Sequence, residues 1–287
     1  MKGAAGLLAA LLLLGSGSHP VAGAEGQALD NRSEAQQLSN QAARAFQEGR
    51  RDEALQIMDR AIAIAPKSAA LRAAKGWIYF YSARMNEALV LFDEAIALNP
   101  THVRALSGKA MTLFSLGRYE ESAKLADRAL RFVPRREILW RIKGISLQHA
   151  GKPDRALKAF DRALALSPEN AEVLKLKGIA LFTLNRFDDA IAVFDRALEL
   201  DPTLEEAWMN KASCLVKLGK PKEALRLYDT ALKMNPLSAP ILYNKGVTLV
   251  ELGQKAEARR FFKKVIAVHP EYLPAKEALA KLDSEGR

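Results

Sequence analysis

The chain has 287 residues, is 49% hydrophobic and 26% charged, and carries a formal net charge of +10 with a single cysteine. One thiol excludes an internal disulfide. The positive balance would suit an anionic partner, but the export signal that opens the chain argues against nucleic acid.

Residues 1–24 read as a signal peptide. Lys2 supplies a positive start, the stretch 6–15 is rich in Leu and Ala, and Ala22-Gly23-Ala24 has the small residues of a cleavage site. The apolar run is shorter than the about 20 residues that a membrane span needs. Cleavage before Glu25 therefore leaves no integral span, and retention as an anchor is the alternative fate of the same segment. No cysteine stands near the cleavage site, which excludes a lipid anchor there. An exported chain without disulfides fits a bacterial periplasm better than a eukaryotic lumen. Residues 25–34 are polar and expected to fray; their Asn31-Arg32-Ser33 is a glycosylation sequon, a short match of little weight.

From residue 35 the chain repeats. Pro66, Pro100, Pro134, Pro168, Pro202, Pro236 and Pro270 stand 34 residues apart, and a fixed period of that length marks an array of supersecondary units. With the proline as position 32, position 8 is small throughout (Ala42, Gly76, Ala110, Gly144, Gly178, Ala212, Gly246). Position 20 is Ala or Ser, position 27 is Ala until Val265, and position 24 is mostly aromatic (Phe92, Phe160, Phe194, Tyr228, Phe262). The spacings 4, 8, 11 and 20, 24, 27 are two helical stripes. Between them position 15 holds Gly49, Ala83, Gly117, Gly151, Asn185, Gly219 and Gly253. Gly and Asn accept the left-handed conformation that ends a helix. Each unit is therefore predicted as helix, tight turn, helix, with the proline stopping the second helix.

These residues resemble the tetratricopeptide repeat over 35–272. The resemblance implies an all-α solenoid of seven helix-turn-helix repeats, at 35–68, 69–102, 103–136, 137–170, 171–204, 205–238 and 239–272. It also implies a right-handed superhelix whose concave groove is lined by the first helix of each repeat. Two departures stand out. Repeat 1 is weak, with Gln41 and Ala45, and position 7, usually Leu in the family, is Lys75, Lys109, Lys143, Lys177, Lys211 and Lys245 in the other repeats. Residues 273–287 read as a capping helix, with Pro274 in its first turn and Leu279 and Leu282 covering the last repeat.

The lysines have a counterpart ladder at position 25: Asp59, Asp93, Asp127, Asp161, Asp195 and Asp229. Pairing within one repeat fails at both ends of the array, where Gln41 would meet Asp59 and Lys245 would meet Lys263. Pairing each Asp with the Lys of the following repeat succeeds six times in six. Inter-repeat ion pairs are therefore expected.

No catalytic constellation is found. His19, His102, His149 and His269 lack metal-ligand spacing. No phosphate loop or other cofactor motif is present, and Cys214 stands where other repeats carry small residues such as Ser146 and Ala180. The chain is read as a non-enzyme with no metal and no cofactor. Function is expected on the first helices, where positions 5, 9 and 12 lie about 100° round from the packing stripe. The groove candidates are Phe46, Trp77, Phe80, Tyr81, Met111, Phe114 and Phe182; position 12 would equally suit packing against the neighbouring first helix. Some members of the family grip peptide C-terminal carboxylates with a Lys and Asn clamp. Here Lys175 is followed by Leu176 and Ile179, so that clamp is absent.

Charge is uneven. Residues 103–170 hold 14 Lys/Arg against 7 Asp/Glu, a net +7. Arg104, Arg128, Arg131, Arg135, Arg136 and Arg141 form the candidate basic patch. The primary expectation is an exported, non-enzymatic scaffold that binds a protein or peptide partner in its concave groove. The alternatives are an anionic polymer or glycan bound by repeats 3 and 4 during envelope polysaccharide assembly, or a non-catalytic subunit of an envelope enzyme.

Overall fold

The computed structural model describes residues 24–284; the expected leader at 1–24 lies outside them but for Ala24. The described residues form fifteen α-helices and no strand. The helices of successive repeats are α1 (Ala24–Gln47) with α2 (Arg51–Ile64), α3 (Ala69–Tyr81) with α4 (Met85–Leu98), α5 (Val103–Ser115) with α6 (Tyr119–Leu130), and α7 (Glu137–His149) with α8 (Pro153–Leu166). They continue as α9 (Ala171–Thr183) with α10 (Phe187–Leu200), α11 (Glu205–Lys217) with α12 (Pro221–Met234), and α13 (Ala239–Glu251) with α14 (Lys255–Val268), followed by α15 (Leu273–Ser284). The chain divides into two compact units between Ala150 and Gly151. Unit 1 thus contains α1 to α7 and unit 2 contains α8 to α15.

Every turn within a repeat has the expected left-handed residue. The five glycines there have φ between 71° and 82°, Asn185 has 58° and Ala83 has 59°. Ala83 alone has neither the freedom of Gly nor the tolerance of Asn. It is exposed, so a substitution removes no packing. Ala83→Gly should raise stability by up to about 1 kcal/mol, the relieved steric penalty exceeding the extra freedom given to the unfolded chain. A thermal melt reads this directly, and a lower midpoint would show that the turn carries no such strain.

The core is built on ring against glycine. Phe92, Phe160, Phe194 and Phe262 are fully buried. A Cβ placed on Gly76 would lie 2.8 Å from the ring of Phe92, on Gly178 2.5 Å from Phe194, and on Gly246 2.6 Å from Phe262. The glycines permit helix pairs to close at native packing density. Gly108, at the start of the next repeat, lies under the same Phe92, where a Cβ would come within 2.3 Å. Repeat 3 inverts the arrangement: Ala126 replaces the ring, and the larger Ile142 joins it with Leu139 in one buried cluster. The same repeat places Ser122 in the core. Its hydroxyl meets the Ala110 carbonyl at 2.7 Å and the Ser146 hydroxyl at 2.8 Å, while Ser146 also reaches the Ile142 carbonyl at 2.7 Å, so neither buried group is orphaned.

The charge ladder pairs as the offset requires. Lys143 meets Asp127 at 2.5 Å, Lys177 meets Asp161 at 2.7 Å and Lys245 meets Asp229 at 2.5 Å; Lys75–Asp59, Lys109–Asp93 and Lys211–Asp195 complete the six. The lysine stems are largely covered while the aspartates are about half exposed, so each pair contributes only about 0.2–1 kcal/mol. Their value lies in register between neighbouring repeats.

Two findings concern the ends. Segment 25–34, expected to fray, is instead helical, because it prolongs α1 from the repeat itself. Ala35 and Leu38 anchor that helix in the core, and each added turn extends an existing nucleus rather than creating one. At the other end α15 buries Ala275 and Leu282 against the last repeat and packs the partly buried Leu279 there.

Candidate functional site

The first helices of unit 1 stack side by side, and their shared face is aromatic. The α3 sequence Trp77–Tyr81 groups the rings of Trp77, Phe80 and Tyr81. Trp77 and Tyr81 stack with centroids 5.7 Å apart and 28° between planes, Phe80 meets Trp77 edge-on at 5.5 Å, and Phe46 of α1 reaches Tyr81 at 6.3 Å. Trp77 also lies edge-on to the core ring of Phe92 at 5.6 Å. It is only 5% exposed. Trp77, a groove candidate by sequence, thus packs on the core, with the rings of Phe80 and Tyr81 beside it. Phe46, Phe80, Tyr81 and Met111 are half-buried.

Beside this cluster α3, α5 and α7 enclose a cavity of about 90 Å³. Trp77, Tyr81, Val103, Arg104, Ser107 and Met111 line it with Arg136, Ile138, Leu139 and Ile142. Drug- or cofactor-sized ligands occupy roughly 300–1,000 Å³, so this cavity has room for a side chain rather than a cofactor. No metal-binding group of three or more His, Cys, Asp or Glu occurs among the described residues.

Arg104 is the unusual lining residue. Its Nε and Nη2 are closed off from solvent and find no hydrogen-bond acceptor, and the same holds for Nε1 of Trp77. Three of the five such side-chain atoms among the described residues therefore belong to this one cavity. Burial, and then the nearby Arg136 charge, pull the Arg104 guanidinium below its ordinary pKa. Arg136 occupies the N-cap of α7 without a side-chain cap bond, where Ser68, His102 and Asn170 cap their helices in other repeats.

The remaining candidates disperse. Phe114 belongs to a separate trio with Tyr119 at 5.3 Å and His149 at 5.2 Å. Phe182 lies in unit 2 against Phe187 at 5.5 Å. Arg128 donates to the Pro100 carbonyl at 2.7 Å and Arg141 lies 3.6 Å from Glu137, while Arg131 and Arg135 are exposed. In unit 2 Lys175, the one lysine at a clamp position, is already held by Glu172 at 2.8 Å and Glu206 at 2.9 Å. The special status of Arg104 was open to detection in the repeat alignment: position 2 is Gln36, Ala70, Ile138, Glu172, Glu206 and Pro240 elsewhere, and no other repeat places a cation there.

Cys214 is fully buried in α11, and burial pushes its thiol up to about 11. A thiol so protonated and enclosed is a poor nucleophile. Native protein at pH 8 should react with Ellman's reagent at least about a hundredfold more slowly than a free thiol and become reactive on unfolding; fast labelling of the folded chain would contradict this placement.

Tetratricopeptide repeat profiles match residues 73–137, 143–205 and 215–282. Among curated proteins no sequence relative matches. Solved structures are similar in fold. A tetratricopeptide repeat protein from Parabacteroides merdae aligns with a TM-score of 0.69 at 18% identity, over 87% of this chain and 98% of that one. The Cut9–Hcn1 hetero-tetramer of the APC/C aligns at 0.65 and 18% identity, over 87% of this chain and 48% of that one. PilF of Pseudomonas aeruginosa aligns at 0.64 and 17% identity, over 74% and 96%. With profile matches over most of its length and this array of helical pairs, the chain belongs to the tetratricopeptide repeat family.

Proposed function

We propose that this protein is an exported, non-catalytic adaptor that holds a segment of another protein against the first-helix face of unit 1. The observation that carries the reading is the aromatic floor of Trp77, Phe80 and Tyr81 leading into a small cavity shared by three consecutive first helices. An apolar groove of this kind suits side-chain anchors from a peptide or helix. Similarity in fold to Cut9, solved as a hetero-tetramer with Hcn1, is consistent with a scaffold role. Export rests on the Leu/Ala-rich leader and its small-residue cleavage pattern, and the absence of disulfides favours a bacterial periplasm. Among the described residues no helix is long and apolar enough to cross a membrane.

The test uses peptides selected from a random library on the full chain. Tyr81→Ala with Met111→Ala, chosen because both line the cavity without the core role of Trp77, should weaken their binding by about tenfold or more. Unchanged affinity with an unchanged melting curve would reject the groove.

A further inference from the structure

We infer that the cavity between α3, α5 and α7 is a carboxylate pocket, which takes an Asp or Glu side chain from an internal, otherwise apolar stretch of the bound polypeptide. The inference rests on the groove reading and adds the chemistry of the partner. Arg104 presents two donors with no acceptor, in a cavity whose lining contains a second cation, Arg136, and no Asp or Glu. Two enclosed guanidinium donors left this way are unfavourable, and a carboxylate matches the planar fork with two parallel bonds. The unpartnered indole N–H of Trp77 adds a third buried donor to the same lining. Apolar walls from Met111, Ile138 and Ile142 lower the local polarity, which strengthens the charge pair.

Size and surroundings select the occupant. About 90 Å³ holds a carboxylate on its short stem and is too little for a nucleotide or a sugar chain. The apolar surface does not end at the cavity. Phe46 and Phe80 carry it across α1 and α3, and half-buried Ile145 stands one turn beyond Ile142 on α7. A segment that crosses the cavity with apolar residues on both sides of its acid uses this surface fully; a chain that stops there leaves half of it uncovered.

Peptides selected on the full chain from a random library with amidated C-termini supply the probe, and fluorescence anisotropy supplies the affinity. Enriched sequences should share one Asp or Glu between apolar residues. Arg104→Gln should weaken them about tenfold or more. Replacing the peptide acid by its amide should weaken wild-type binding equally and cost nothing further in Arg104→Gln. Arg104→Lys, which keeps the charge but not the fork, should fall between. Peptides that lack an acid, ignore Arg104→Gln, yet are lost with Tyr81→Ala and Met111→Ala would overturn the carboxylate pocket and keep the groove. Peptides insensitive to all three changes, or no enrichment at all, would overturn both. Binding that appears only with a free C-terminal carboxylate would overturn the internal acid.

Discussion

Phe92→Ala should lower stability by about 3–5 kcal/mol, the usual cost of emptying a fully buried aromatic site, and a second, ordinarily harmful change should recover part of it. The second change is Gly108→Ile. In the wild-type chain a bare Cβ at Gly108 would already come within 2.3 Å of the Phe92 ring, so Gly108→Ile alone overpacks the site and costs about 1–3 kcal/mol or more. Without the ring the same isoleucine enters vacant space. The chain displays this solution one repeat later, where Ala126 and Ile142 share a buried cluster. The four proteins of a double-mutant cycle, compared by urea denaturation, should therefore show a favourable coupling of about 1–3 kcal/mol. Additive effects would mean that the two sites do not share one volume.

Arg104→Met should stabilise the protein by about 1–2 kcal/mol, a gain from removing a half-buried charge with two enclosed, unmet donors. The methionine keeps an unbranched stem among Met111, Ile138 and Ile142 and adapts to an irregular apolar site. Thermal and urea melts of the two proteins measure the difference. A midpoint that stays level or falls would show that the guanidinium is well solvated where it sits, and would remove the energetic basis of the pocket. The expected pairing of higher stability with lost recognition is the trade-off found where a binding site holds groups in an uncomfortable state until the ligand arrives.

Periodicity made most of the fold legible. Turns, helix stops and the Asp–Lys offset follow from residues that recur every 34 positions, and each is a local or nearest-neighbour property. The helix at 25–34 is not legible, because the segment's polar composition says nothing of the helix it prolongs. The site was legible only in outline. Trp77 and Tyr81 stood out by type, but Trp77 is buried on Phe92, a contact set by the helix-pair angle rather than by spacing. Closeness in sequence groups the arginines into one patch. Geometry regroups them: Arg104 and Arg136 line one cavity, while Arg128 and Arg141 are tied to Pro100 and Glu137. Which of several like charges points inward depends on side-chain paths across three helices, and no window along the chain contains that.

The offset of the ion pairs has a consequence for how such a chain changes length. Each aspartate looks forward to the lysine of the next repeat. Excising or duplicating one whole internal repeat therefore leaves every junction with a matched pair: without 171–204, for example, Asp161 would meet Lys211 in place of Lys177. A ladder closed within each repeat would say nothing about its neighbours, whereas this one makes the charges at all internal junctions interchangeable. Gain or loss of a repeat is thus buffered in charge at the junction, and what remains to be matched there is packing, such as Phe92 over Gly108 and Ala126 beside Ile142.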